Sequence, residues 1–237
     1  MGRNMPDRLE TIEQTSQAEA KEWDRLARRY QTRYDEMLAD LAERIRPPAG
    51  ARILDLGCGS GILAEILLDR FPGVNVTLLD FSSNMLEAAE RRLRRFAGTT
   101  HFFCGTFEEM PPGPYDAVVS TLALHHLESD DEKRAQYARI LDSLMLGGCF
   151  WQGEYVVSSS PEDTSSNETA WGDWLLSQGF SEAEVLGLHE RVAANDRPAP
   201  LVDHLSWLRE VGFTRVDCTW RYLKFAVFGG WKPAADS

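Results

Sequence analysis

Three groups of residues are spaced for chemistry. The first is the run Asp55-Leu56-Gly57-Cys58-Gly59-Ser60-Gly61, an acid followed by glycine at every second position. Glycines let a backbone approach a ligand where any Cβ would collide, and they permit turns that other residues resist. A further acid, Asp80, closes an apolar run that starts at Val74. The second group is His125-His126 together with Glu154, side-chain types that serve as a general base when an acceptor atom holds its proton near neutral pH. The third is aromatic and basic. Trp171 and Trp174 suit an apolar acceptor pocket, whereas Arg197 and His204 would face an anionic acceptor.

Alternating strands and helices must position these groups. Ile53, Leu54 and Leu56 read as a short buried strand, and Ile62, Leu63, Ile66 and Leu67 as the helix behind the glycine loop. Strand candidates follow at 74–79, 101–104, 115–122 and 149–157. Between them lie a helix carrying Met85, Leu86, Ala89 and Leu93, and one carrying Tyr137, Ile140, Leu141 and Leu144. The latter opens on a capping box, Ser129-x-x-Glu132, and is expected to stop at Gly147-Gly148. This βα order implies a mainly parallel sheet with helices on both faces. The glycine loop and Asp80 then sit at the carboxyl edge of adjacent strands, where such sheets bind ligands.

Upstream, Trp23, Leu26, Ala27, Tyr30, Tyr34, Met37, Leu38 and Leu41 predict one helix ended by Pro47-Pro48. Residues 1–19 are expected to be disordered. Residues 158–200 interrupt the rhythm with a polar opening, Ser158 to Asn167, read as a loop. Two short helices follow, the second begun by a capping box at Ser181-x-x-Glu184. An insertion after the fifth strand lies beside the ligand edge, so it is a lid candidate within one domain of residues 20–237. At the end, Leu201, Leu205 and Leu208 form a helix stripe. Val216, Cys218, Trp220 and Tyr222 alternate as a strand, and 225–228 is a second strand whose short connection forces antiparallel pairing.

The pattern Asp-x-Gly-x-Gly-x-Gly, the acid closing the next strand and the antiparallel finish together resemble a class I S-adenosylmethionine (SAM) dependent methyltransferase. The resemblance covers roughly residues 20 to 232. It implies a Rossmann-like α/β fold with a seven-stranded, mostly parallel sheet and an antiparallel C-terminal strand. It also implies SAM as the cofactor. Asp55, Gly57, Gly59 and Gly61 match the motif that lies against the methionine and ribose parts of SAM, with Cys58 inside the same loop. Asp80 matches the acid that accepts hydrogen bonds from the ribose hydroxyls, and Phe81 and Met85 match apolar positions beside the adenine. The acid often found after the third strand is replaced by Thr106-Phe107, with Glu108 and Glu109 just behind. Ser120, Thr121 and Leu122 match the fourth-strand end under the methionine, and Tyr30 or Tyr34 matches an aromatic that closes over SAM. The ending Arg221 to Gly229 is also loosely similar to the tail of carboxy-SAM synthases, in which an arginine holds the added carboxylate. Arg221 and Arg197 are the stand-ins here.

Other classes fit less well. An NAD fingerprint spaces its glycines GxGxxG, and its third position from Gly57 is Ile62. The chain has 37 acidic against 25 basic residues, a net charge of −12, which opposes general affinity for phosphate backbones. Arg91, Arg92, Arg94 and Arg95 read as the solvated face and last turn of a helix. No apolar run approaches the ~20 residues needed to span a bilayer. Adjacent histidines lack the spacing to converge on one ion, so no metal is expected. The four cysteines form no CxxC pair. Cys104, Cys149 and Cys218 read as buried strand residues, and Cys58 as the one reactive thiol. The expectation is a cytoplasmic enzyme that moves a methyl group to an oxygen or nitrogen of a small-molecule acceptor, without nucleic acid or membrane partners. A homodimer is left open. The alternatives are a SAM-modifying enzyme of the carboxy-SAM-synthase kind and a SAM-binding protein without turnover.

Overall fold

A computed structural model describes residues 28–234. The expected disorder of residues 1–19, and Trp23, Leu26 and Ala27 of the expected first helix, lie outside the described residues. Seven strands form one sheet: β1 (Arg52–Leu56), β2 (Asn75–Asp80), β3 (Thr100–Cys104), β4 (Tyr115–Thr121), β5 (Leu144–Tyr155), β6 (Thr214–Tyr222) and β7 (Phe225–Trp231). Their order is β3-β2-β1-β4-β5-β7-β6. Strands β1 to β5 pair in parallel, and β7 lies antiparallel between β5 and β6. This is the expected Rossmann-like arrangement.

The helices are α1 (Tyr34–Arg44), α2 (Ile62–Arg70), α3 (Ser83–Leu93), α4 (Asp130–Ser143), α5 (Pro161–Ser177), α6 (Glu182–Asn195) and α7 (Leu201–Val211). Strand side chains alternate between two cores. Ile53, Val119, Trp151 and Val227 join the core packed with α1, α2, α3 and α5. Leu54, Val118, Phe150 and Phe228 join the other, with α4 and α7. Burial on both faces is why these strands read as near-continuous apolar runs.

Several expected boundaries move. The single N-terminal helix is interrupted at 31–33, where Arg33 takes φ 57°, and α1 restarts at Tyr34. Helix α4 ends at Ser143 rather than at Gly147-Gly148, because Leu144 already pairs with Tyr115 in the sheet. At its start, Ser129 accepts from the Glu132 N–H, but the Glu132 carboxylate takes the N–H of Glu128 instead of completing the box. The polar stretch read as a loop is mostly helix: Ser160 caps α5 and Pro161 occupies its first turn, where proline's missing N–H costs nothing. The box at Ser181 and Glu184 is present as expected. Cys149 is buried, but Cys104 is exposed and Cys218 half-buried, because β3 and β6 are the edge strands. The arginine cluster is tied down as well as solvated: Arg92 and Arg95 pair with Glu65, and Arg95 with Asp69, joining α3 and the turn after it to α2.

Candidate active site

The loop after β1 is built by backbone bonding. The N–H groups of Gly57 and Cys58 both donate to the Leu79 carbonyl, at 2.8 and 3.0 Å, which fastens the turn to β2. Gly57, Gly59 and Gly61 all have positive φ, yet their missing Cβ atoms matter differently. A Cβ on Gly57 would overlap the Ala123 side chain. On Gly61 it would press on Ala89 and Leu93, so that glycine serves the packing of α2 on α3. On Gly59 it would meet nothing within 4 Å among the described residues. Gly59 opens instead onto a cavity of about 510 Å³.

Two acids stand in the wall at this end of the cavity. Asp80 is fixed from both sides, one carboxylate oxygen accepting from the Gly59 N–H (2.8 Å) and the other from the Ser82 N–H (2.9 Å). Burial nevertheless raises its pKa. Asp55 is buried, and among the described residues neither of its oxygens has a hydrogen-bond partner. Burial, then the charge of Asp80, pushes its pKa up to about 7, while the nearby Ala64 amide opposes this without reaching hydrogen-bond geometry. Cys58 also lines the cavity, but burial and the charges of Asp80 and Asp55 raise its thiol well above the ordinary range. It therefore stays protonated, and the reactive-thiol expectation is corrected.

At the other end, a short 3₁₀ turn, Leu124–His126, follows β4 and carries both histidines into the wall. The His125 Nδ1 lies 2.5 Å from Glu154, whose carboxylate also accepts from the Leu124 and Tyr155 N–H groups. Burial alone would lower the His125 pKa, but Glu154 and Asp196 outweigh it and raise it to about 9. For Glu154, burial pushes upward and the pairing with His125 wins, leaving the carboxyl below its usual range. Asp196, at the end of α6, approaches His125 Nε2 at 3.7 Å and His126 Nδ1 at 3.5 Å. The Arg197 N–H donating to the His125 carbonyl (2.8 Å) holds the two segments together.

Helices α5 and α6 close this end. The Trp171 indole donates to the Tyr30 carbonyl at 2.7 Å, and the Tyr30 ring packs on Phe180 and under Arg191. Lys224, in the turn between β6 and β7, is buried over the Trp171 and Tyr155 rings and pairs with Glu168 at 2.8 Å. Tyr155 donates to the same carboxylate.

Of the residues singled out from sequence, Tyr30, Asp55, Gly57, Cys58, Gly59, Asp80, Phe81, Met85, Thr106, Phe107, Thr121, Leu122, His125, His126 and Trp171 line the cavity, and so does Tyr34. Gly61 packs between helices, and Ser120 faces inward, donating to the Leu56 carbonyl at 2.8 Å. Glu154 is buried behind His125 and reaches the cavity only through it. Arg197 and Arg221 are not in the wall: Arg197 folds onto carbonyls at the end of α6, and Arg221 donates to Ser158. Nor is His204, because α7 packs on the opposite face and buries it against Tyr137 (2.7 Å). Sequence reasoning did not assign roles to Glu108, Asp196, Lys224, Arg191 and Tyr155, which are in the wall.

Residues 53–148 match the model of a family described as a methyltransferase domain. A malonyl-[acyl-carrier protein] O-methyltransferase from Laribacter hongkongensis is 38% identical over 109 residues, 41% of this chain and 37% of that protein. The matched segment is a class I SAM-dependent methyltransferase domain. A carboxy-SAM synthase from Chromohalobacter salexigens is 28% identical over 202 residues, 84% of this chain and 74% of that protein. An O-methyltransferase family protein from Burkholderia thailandensis shares the fold of the methyltransferase domain, with a TM-score of 0.66 at 16% identity, covering 94% of this chain and 59% of that one.

SAM is the domain's cofactor, and the cavity fits it. An unsatisfied buried carboxylate, Asp55, suits a ligand that carries positive charge. The open space at Gly59 admits close approach.

Proposed function

We propose that this chain transfers the methyl group of SAM to an oxygen or nitrogen atom of a small-molecule acceptor. The observation that carries this reading is the continuity of the cavity, which runs from the glycine loop and the two acids to the histidine turn and α5–α6. Asp80 is assigned to the ribose hydroxyls, since each of its oxygens keeps a lone pair beyond the backbone bond it accepts. Asp55 is assigned to the cationic methionine end. Phe81, Met85 and Phe107 are assigned to the adenine, with Glu108 near its polar edge.

When bound, SAM supplies a methyl group on a sulfonium sulfur. The task left to the chain is alignment in a pocket that excludes water. Helices α5 and α6 are the lid, and Tyr30, clamped by Trp171 and Phe180, closes the side nearest the cofactor. His125 and His126 face the acceptor. In the metal-free protein Glu154 and Asp196 keep His125 protonated at neutral pH, so it does not act as a base. Glu154 is a positioning residue for it. The fit of the wall to a small acceptor rests on the enclosed volume and on the acidic surface, which disfavours nucleic acid.

A second reading has its own support: the similarity to the carboxy-SAM synthase runs over 84% of the chain. It needs a cation facing an added carboxylate, a place open to Arg191 or Lys224 but not to Arg197 or Arg221. The test is transfer of label from methyl-labelled SAM to a panel of hydroxyl- and amine-bearing acceptors, with mass spectrometry of any copurified ligand. Label in an acceptor supports methyl transfer. A copurified ligand heavier than SAM by a carboxyl group, without transfer, supports the second reading.

A further inference from the structure

We infer that His125, His126 and Asp196 form a binding site for one divalent metal ion of the zinc class at the acceptor end of the cavity. Adjacency in sequence gives no expectation of a shared ion, but the 3₁₀ turn brings His125 Nε2 and His126 Nδ1 to 3.7 and 3.5 Å from the same Asp196 oxygen, and the donor atoms of all three residues fall within 4.8 Å of one another. Tetrahedral zinc, with bonds of about 2.0–2.1 Å, separates its ligand atoms by roughly 3.3 Å, so small side-chain adjustments close the set. Two imidazoles and one carboxylate are donors that zinc and its neighbours in the transition series prefer over magnesium or calcium.

The surroundings are those of a metal ligand set. His125 binds Glu154 through Nδ1, which leaves Nε2 directed at Asp196, the carboxylate–histidine relay that orients metal-ligating imidazoles. Asp196 is held by the Arg197 to His125 backbone bond rather than by a free loop. Three protein donors leave one position open, and all three residues line the cavity, as at catalytic rather than structural zinc sites. The ligand class is therefore an acceptor offering an oxygen donor, whose hydroxyl the metal makes more acidic, the proton leaving to solvent. That last assignment rests on the methyltransferase reading. The metal site itself does not.

The test uses the full chain stripped with a chelator. Zinc chloride is titrated calorimetrically, and Co(II) is added separately to read its visible ligand-field bands. One equivalent of zinc is expected to bind saturably, with tetrahedral-type Co(II) absorption. His126→Ala and Asp196→Asn are each expected to weaken binding by more than tenfold, and Glu154→Gln by about 10–100-fold, with circular dichroism as the check on folding. Absence of saturable zinc binding, or equal affinity in the His126→Ala/Asp196→Asn double variant, overturns the site. SAM binding measured on the same samples separates the two claims. Zinc without SAM binding overturns only the methyltransferase reading, and SAM without zinc only the metal site.

Discussion

Asp55 and Asp80 stand at the cavity end of neighbouring strands, but only Asp80 is hydrogen-bonded. Asp80 accepts two backbone N–H groups, whereas both oxygens of Asp55 are buried without a hydrogen-bond partner among the described residues. The pair shares one low-dielectric wall, and Asp55 carries the cost as a pKa near 7. A cationic ligand would relieve it.

The first prediction follows from that relief. Without ligand, Asp55 is largely protonated below pH 7. Binding of SAM at pH 6 should release close to one proton, and the release should fade as the pH rises past about 7. Calorimetry in two buffers of different ionisation enthalpy measures it, and Asp55→Asn should abolish the release while weakening binding. The folded pKa is raised, so this carboxyl favours folding below its unfolded value, 3.8, and that contribution is lost as pH climbs to about 7.

The glycines should separate by function. Gly59→Ala meets no atom of the described residues, so its expected cost to stability is that of the positive φ, about 1–2 kcal/mol. Its effect on SAM affinity should be the larger one. Gly57→Ala meets Ala123 and should lose more stability than Gly59→Ala. Thermal melts and SAM titrations of both variants check the ordering.

His204 predicts acid sensitivity. The Gln152 amide donates to the Tyr137 hydroxyl, which is thereby directed at His204 Nδ1, and burial pushes the imidazole pKa from 6.5 to about 4. The folded value is depressed. The stabilisation is present above pH 6.5 and is lost as pH falls toward 4, a change on the order of 3 kcal/mol. Urea titrations at pH 7, 5.5 and 4.5 should show the decline, and His204→Phe should flatten it.

Lys224 ties the β6–β7 turn to α5. Lys224→Met removes the ammonium from Glu168 and should cost about 3 kcal/mol or somewhat less, since Glu168 keeps some solvent, the Tyr155 hydroxyl and the nearby His189. Lys224→Met with Glu168→Gln should recover part of the loss, which a double-mutant cycle reads directly.

The legible parts of this fold were those written in local pattern. The glycine loop, the strand-closing Asp80 and the antiparallel finish depend on neighbours in sequence, and the structure places them as expected. The start of α5 reads wrongly as loop: Ser160-Pro161 carries a helix-start signal, but the polarity of the following residues obscures it. Cys104 is exposed because strand order, which pattern does not encode, puts β3 at the edge. Asp196 is hidden for a deeper reason. It meets His125 across 71 residues, through a helical pair whose return path no local signal fixes. For the same reason Glu154 reads in sequence as a candidate base that could equally pair structurally, and the structure buries it against His125.

The glycine-loop end of this cavity is expected to bind SAM through Asp80. Calorimetric titration of the native protein and of Asp80→Ala with SAM and S-adenosylhomocysteine tests it most directly. One site for each ligand is expected in the native protein, with a loss of roughly 10–100-fold or more in the variant, as removal of charge-assisted hydrogen bonds implies. No binding by the native protein, or equal binding by a folded Asp80→Ala variant, would contradict it.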